Sequence, residues 1–134
     1  GELLNFQAKE SAYDIQPAWE NRKLEAYMSS PVVVGEHAYL HLKNQRLACF
    51  ELATGDEQWR TTPFGKYWSM VTQGDRILAL DEKGELRLIQ ANPKEYTLLS
   101  QRHVSDDSTW AHLAVAGNQV FVRELKGLVA FEWK

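Results

Sequence analysis

Cysteine is nearly absent. Cys49 is the only one in 134 residues, which excludes an intrachain disulfide framework and a cysteine-based zinc site. It lies in an apolar run with no cationic neighbour in sequence, the setting of a packed thiol rather than a reactive one. No apolar stretch approaches the roughly 20 residues a membrane-crossing helix needs. No signal peptide opens the chain, so the sequence suggests either a cytoplasmic protein or one lacking its targeting segment. Segments with helical apolar spacing are also missing. Charge of one sign is not in excess: 18 acidic and 15 basic residues are well mixed, for a net charge of -3. Without a basic stripe, nucleic acid is not an expected partner. No serine-histidine-carboxylate order, phosphate loop or paired acid in a recognisable setting marks a catalytic centre.

What remains is apolar, aromatic and punctuated by glycine. Hydrophobic residues make up 44% of the chain, with five each of Trp, Tyr and Phe and eight glycines. That supplies the core of one ordinary domain and points to an all-β fold. Three glycine turns line up: Val34-Gly35-Glu36-His37, Gln73-Gly74-Asp75-Arg76 and Ala116-Gly117-Asn118-Gln119. Each precedes a short apolar strand. Twelve residues after Gly35 and Gly74 come Leu47 and Leu86, and eleven after Gly117 comes Leu128, each opening a further strand. Twelve beyond Leu47 lies Trp59, and the same step from Leu86 reaches Leu98. With the turns at Lys43-Asn44, Thr54-Gly55-Asp56 and Lys83-Gly84, each unit reads as four short antiparallel strands. A period of about 40 to 45 residues with four strands is that of a β-propeller blade. Consecutive apolar residues in Ile77–Leu80 and Val120–Val122 require cover on both strand faces, which stacked blades provide and a one-sided sheet does not. A β-sandwich of ten or more short strands would tolerate such runs but leaves the registered anchors unexplained.

The predicted architecture is therefore a partial propeller of about three four-stranded meanders plus an N-terminal strand. Residues 1–26 hold the fourth strand of a preceding or completed blade, 27–62 and 63–103 form blades, and 104–134 form an incomplete blade. Trp19, sixteen residues before Gly35, takes the place that Trp59 holds fifteen before Gly74. Three blades are too few for the usual closed ring of four to eight. The chain reads as part of a longer propeller, as half of a six-bladed ring in which each chain lends its Trp19 strand to the other, or as a dimer through its end blades. Each arrangement leaves apolar blade faces open in the free monomer, so self-association is expected.

The run Ala48–Trp59, ACFELATGDEQW, resembles the A-x-D-x-x-T-G-x-x-x-W signature of pyrroloquinoline-quinone-like (PQQ-like) propeller repeats, with Cys49 at the alanine and Glu51 at the aspartate. The Thr-Gly turn and the tryptophan match directly. The middle unit is degenerate, with Asn92-Pro93-Lys94 at the turn and Leu98 for the tryptophan. The resemblance spans about Tyr27 to Trp133 and is closest to non-enzymatic bacterial members. It implies a structural role in blade docking for Thr54, Gly55, Trp59 and Trp19, and an extracytoplasmic location, periplasmic or secreted. The family's dehydrogenases use a vicinal cysteine pair, a calcium-binding carboxylate with asparagine and a catalytic aspartate. With one cysteine and no Asp–Asn constellation in these units, the resemblance carries the fold and not the cofactors, neither PQQ nor calcium.

Propellers bind at their faces and channel rim. The segments before the repeat glycines place Tyr27 and Ser30, Tyr67, Trp68 and Ser69, and Trp110 and His112 at equivalent inner positions, where stacking area and polar handles recur. These form the candidate ligand-binding rim; the plainer reading is that they pack it. His37-x-x-x-His41 lies on a strand rather than a helix, and Asp106-Asp107 sits in a polar loop, so no metal site is expected. The expected function is a non-catalytic binding or assembly scaffold for a protein or small ligand. The alternative is a fragment of a quinone-dependent dehydrogenase relative whose catalytic residues lie outside this chain.

Overall fold

The computed structural model describes residues 1–133; the last residue of the expected third unit, 134, lies outside them. Thirteen strands and no helix make up the described residues. A hairpin, β1 (Glu2–Ala8) and β2 (Tyr13–Glu20), is followed by two four-stranded meanders, β3 to β6 (Val32–Val34, His37–His41, Arg46–Glu51, Glu57–Pro63) and β7 to β10 (Trp68–Gln73, Arg76–Asp81, Glu85–Gln90, Thr97–His103). A three-stranded meander closes the chain: β11 (Ala114–Ala116), β12 (Gln119–Glu124) and β13 (Gly127–Glu132). The fold is an open, partial β-propeller. It differs from the expected layout at the start, where one strand was predicted and two form. β1 pairs along the whole of β2, Leu3 opposite Trp19 and Phe6 opposite Ile15. It occupies the ladder edge through which β2 would join another chain's third strand, so the Trp19 strand is not a lone donor.

The repeat glycines explain the meanders. Val34 pairs with His37, Gln73 with Arg76 and Ala116 with Gln119 across two-residue loops. In each, the first loop residue is glycine with φ of +58° to +59°. Positive φ at that position alone is the pattern of a type II′ turn, whose twist matches that of the strands.

Side-chain alternation sends each inner strand into two cores. On β4 and the residue after it, Ala38, Leu40 and Leu42 join Leu24, Ala48 and Phe50 against Trp19, while Tyr39 points the other way. Tyr39, Leu47 and Cys49 pack with Met70, Ile77, Ala79 and Ile89 of the next blade. Leu80 and Leu86 of that blade pack in turn with Leu113, Val120 and Val122 of the third. These three clusters are the seams between consecutive units, and the period of two on β4 is why its apolar run is continuous.

Two tryptophans lock the first two seams in the same way. The Trp19 indole N–H donates to the Leu52 carbonyl at 2.9 Å, and that of Trp59 to the Asn92 carbonyl at 2.8 Å. Each indole reaches the turn between the third and fourth strands of the next unit. Trp19 lies so close to the Thr54-Gly55 turn that a Cβ on Gly55 would sit 2.6 Å from its ring, and Gly55 has φ +76°. Glycine is required there twice over, by the backbone and by the indole. Within the turn, the Thr54 hydroxyl donates to Glu51 at 2.7 Å and accepts from the Asp56 amide at 3.2 Å.

Truncating Trp59 to alanine removes a half-buried indole and leaves the Asn92 carbonyl without its donor. The expected cost is about 3 to 5 kcal/mol in chemical denaturation, whereas Leu98→Ala, on a side chain 43% exposed, should cost under about 1 kcal/mol. Equal losses from the two would contradict this reading of the seam.

Candidate functional site

Each connector from a fourth strand to the next first strand crosses one end of the blades, and each carries an aromatic residue there. Tyr27 lies between β2 and β3, Tyr67 between β6 and β7, and Trp110 between β10 and β11. The three rings form a row. Centroids are 6.2 Å apart from Tyr27 to Tyr67 and 5.4 Å from Tyr67 to Trp110, with tilts of 43° and 44°. The Lys66 ammonium lies over both tyrosines, 5.2 Å from the Tyr27 ring and 5.5 Å from that of Tyr67. Its backbone N–H donates to the Glu82 carboxylate at 2.6 Å, which pins this connector to the blade beneath. Tyr27 and Trp110 are 56% and 53% exposed, and Met28 beside them is also exposed. A row of rings from successive units, exposed at both ends and half-buried at Tyr67, with one cation set into it, is a stacking platform with a positive centre.

The remaining rim candidates divide by depth. Ser30 and His112 are exposed. Trp68 and Ser69 are buried, because β7 begins at Trp68 and both already lie between blades. Ser69 accepts a hydrogen bond from the Leu113 amide at 3.2 Å, tying the third unit to the second. Trp68 stacks between His41, with rings parallel to 1° and centroids 5.1 Å apart, and Phe64, at 4.9 Å. These two are therefore placed in the core, not on the rim.

Around Trp68 the structure builds a buried polar knot that sequence reasoning missed. The Arg87 guanidinium lies 4.8 Å from the Phe64 ring centre and 5.6 Å from that of Trp68, and pairs with Asp81 at 2.7 Å. The other Asp81 oxygen accepts from the Lys83 and Glu85 amides, and the Asp81 carbonyl accepts from the Thr109 hydroxyl of the next connector. Each oxygen of the buried carboxylate thus has a partner, as burial demands. His41 Nε2 and Trp68 Nε1 lack partners among the described residues. The apolar run of β8 and the pattern of β9 gave no hint that Asp81 and Arg87, six residues apart across a turn, would meet in the core.

The metal candidates separate. His37 and His41 lie at opposite ends of β4, about 13 Å apart at strand rise. Asp106 pairs with His103 at 2.8 Å and Asp107 with Lys126 at 2.9 Å. Hydrogen bonds to Asp106 and then Glu85 raise the His103 pKa. Among the described residues no three His, Cys, Asp or Glu side chains form a group that could hold a metal ion. Cys49 is fully buried, and burial pushes its thiol up to about 11.

Residues 1–61 match the family model described as outer membrane protein assembly factor BamB. Over that stretch the chain is similar to PQQ-like β-propeller repeats. The match takes in the Trp19 hairpin, outside the stretch in which the sequence alone placed the resemblance, and ends just past Trp59. Solved structures share the fold of this chain. BamB from Moraxella catarrhalis superposes with a TM-score of 0.61 at 15% identity, over 75% of this chain and 30% of that one. The N-terminal part of BBS1, solved in complex with ARL6, gives 0.62 at 16% identity over 95% of this chain and 48% of that one. The computationally designed Ika8 protein gives 0.67 at 9% identity over 96% and 42%. The chain thus spans 30% to 48% of these structures. A search of curated proteins yields no match.

Burial sets the pH response of the knot. It pushes His41 down to about 4, against about 6.5 in the unfolded chain. The unfolded state therefore binds the extra proton between those values. Stability from this group is fully present above about 6.5 and is lost as pH falls towards 4, by up to about 3 kcal/mol. Replacing His41 by Phe should flatten the stability curve between pH 6.5 and 4 relative to wild type. An unchanged slope would show that carboxylates alone carry the acid response.

Proposed function

We propose that this chain is a non-catalytic propeller scaffold that holds an extended segment of a partner protein across the rim row of Tyr27, Tyr67 and Trp110. The row itself is the observation that carries the reading. Exposed aromatic side chains with the polar handles of Tyr and Trp are the residue types that dominate binding hot spots. Two of them here, Tyr27 and Trp110, flank the half-buried Tyr67 on a rigid meander framework. Their spacing of 5.4 and 6.2 Å approximates the two-residue repeat of an extended strand, roughly 6.6 Å. Alternate side chains of a bound segment then fall one to each ring gap. The Lys66 ammonium between the tyrosines selects for an acidic or carboxyl-bearing residue at the centre of that segment. Ser30 and His112, exposed near the two ends, supply polar contacts.

The names of the relatives agree with an assembly role: BamB is described as an outer membrane protein assembly factor, and BBS1 was solved bound to ARL6. Their likeness supports a scaffold working through protein contacts, and for this chain a place outside the cytoplasm. No helix of the described residues is long and apolar enough to cross a membrane.

The test uses labelled decapeptides in which aromatic and acidic residues alternate, titrated by fluorescence anisotropy against wild type, Tyr27→Ser with Trp110→Ser, and Lys66→Glu. Wild type should bind, and both variants should lose at least tenfold in affinity. Because these side chains are largely exposed, unfolding midpoints should hold to within about 1 kcal/mol. Equal binding by all three proteins would overturn the proposal.

A further inference from the structure

The same unit repeats, so its seams should be alike, but the third is not. In the second seam Trp59 stands opposite Cys49 in the β5–β6 ladder and packs beside Tyr39 and Tyr96. One unit on, the residue equivalent to Cys49 is Leu88, and the residue opposite it is Ser100. Leu98, at the sequence distance of the signature tryptophan, instead faces Ile89, because the β9–β10 register shifts between Leu98 and Ser100. A hydroxymethyl group occupies the place of an indole.

Where the ring would lie is a groove of about 570 Å³, walled by Leu78, Leu86, Leu88, Val120, Phe131 and Trp133 with Ser100 at its side. It shares Leu78, Leu88, Val120 and Trp133 with an adjoining recess of about 700 Å³ towards Val71 and Val115. The walls repeat the tryptophan seat one unit earlier, with Leu78 in the place of Tyr39, Leu88 in that of Cys49 and Val120 in that of Ile77. Arg102 and Glu132 at the rim offset each other in charge.

We infer that this third seam is a binding slot for an indole ring, the tryptophan side chain of an exposed segment of another protein. The occupant is argued from the molecule itself. Both sister seats are filled by indoles, each donating its N–H to a backbone carbonyl of the following unit, and the third keeps the apolar walls without the ring. Covering the apolar walls of this groove with a ring removes them from water, which favours binding. The slot lies between blades and is independent of the rim row.

The probe is N-acetyl-tryptophanamide, titrated into the chain with methyl-labelled Leu and Val and followed by NMR. Saturable shifts should centre on Leu78, Leu88 and Val120, with Kd in the millimolar range or below. Ser100→Trp should fill the seat in cis, raise the unfolding temperature by several degrees and abolish those shifts. If that variant does not fold, Leu88→Trp, which projects an indole from the facing strand, serves the same purpose. Shifts that survive in a folded filled variant, or that centre on residues away from the groove, would overturn the inference. So would the same shifts on concentrating the protein alone, which would assign the groove to a second copy of the chain.

Discussion

An indole of one unit seated on the third turn of the next is the interaction on which the rest of this structure depends. A four-stranded meander exposes two apolar faces and has no helix to cover either, so each face must find another blade. Sheet-on-sheet contact alone is non-directional and would tolerate sliding. The hydrogen bonds from Trp19 to Leu52 and from Trp59 to Asn92 remove that freedom, because a seam that slips leaves an indole donor and a carbonyl unpaired in an apolar setting. The Thr54-Gly55 turn is shaped around this contact. Its glycine leaves room for the Trp19 ring, and its threonine closes the loop onto Glu51. The signature residues are thus one device, with the tryptophan on one blade and the turn that receives it on the next.

Much of this frame was legible in the sequence for a local reason. Type II′ turns need positive φ at one position, so Gly35, Gly74 and Gly117 had to appear at the repeat distance. What was not legible depended on register. Leu98 takes the tryptophan's place by counting, but an irregularity next to Leu99 moves that place to Ser100, and a bulge of one residue leaves no trace in spacing. Strand β1 escaped for another reason. Its turn, Lys9–Ala12, contains no glycine, although Leu4 and Phe6 alternate opposite Ile15 and Pro17 in the ladder. Among the rim candidates a single step along the chain separates the surface from the core. Tyr67 precedes β7 and stays in the row, while Trp68 starts the strand and is sealed between His41 and Phe64.

That boundary explains how aromatic residues so close in sequence take different roles. Inside the seam an aromatic ring must satisfy its polar atom or carry the cost, and His41 and Trp68 carry it. The adjacent Asp81–Arg87 pair holds the surroundings in place through amides of its own turn and a threonine of the next connector. Outside the seam the same ring types keep water on one face and are free to exchange it for a ligand. The connector carrying Tyr67 is four residues long and anchored by Lys66 to Glu82, so its ring is presented with little left to order on binding.

The third seam follows from the first two. A repeat built from equal seams would be equally rigid throughout, and the cheapest way to open a slot in it is to delete one tryptophan without disturbing the walls. Ser100 does this. The loss is partly offset elsewhere: Leu113 to Ser69 and Thr109 to Asp81 stitch the third unit to the second through hydrogen bonds that need no indole. Gly84 brings the second unit close against the connector to the third, since a Cβ there would lie 2.0 Å from the Ser105 carbonyl oxygen. The seam is therefore held near its connector and left open towards Trp133.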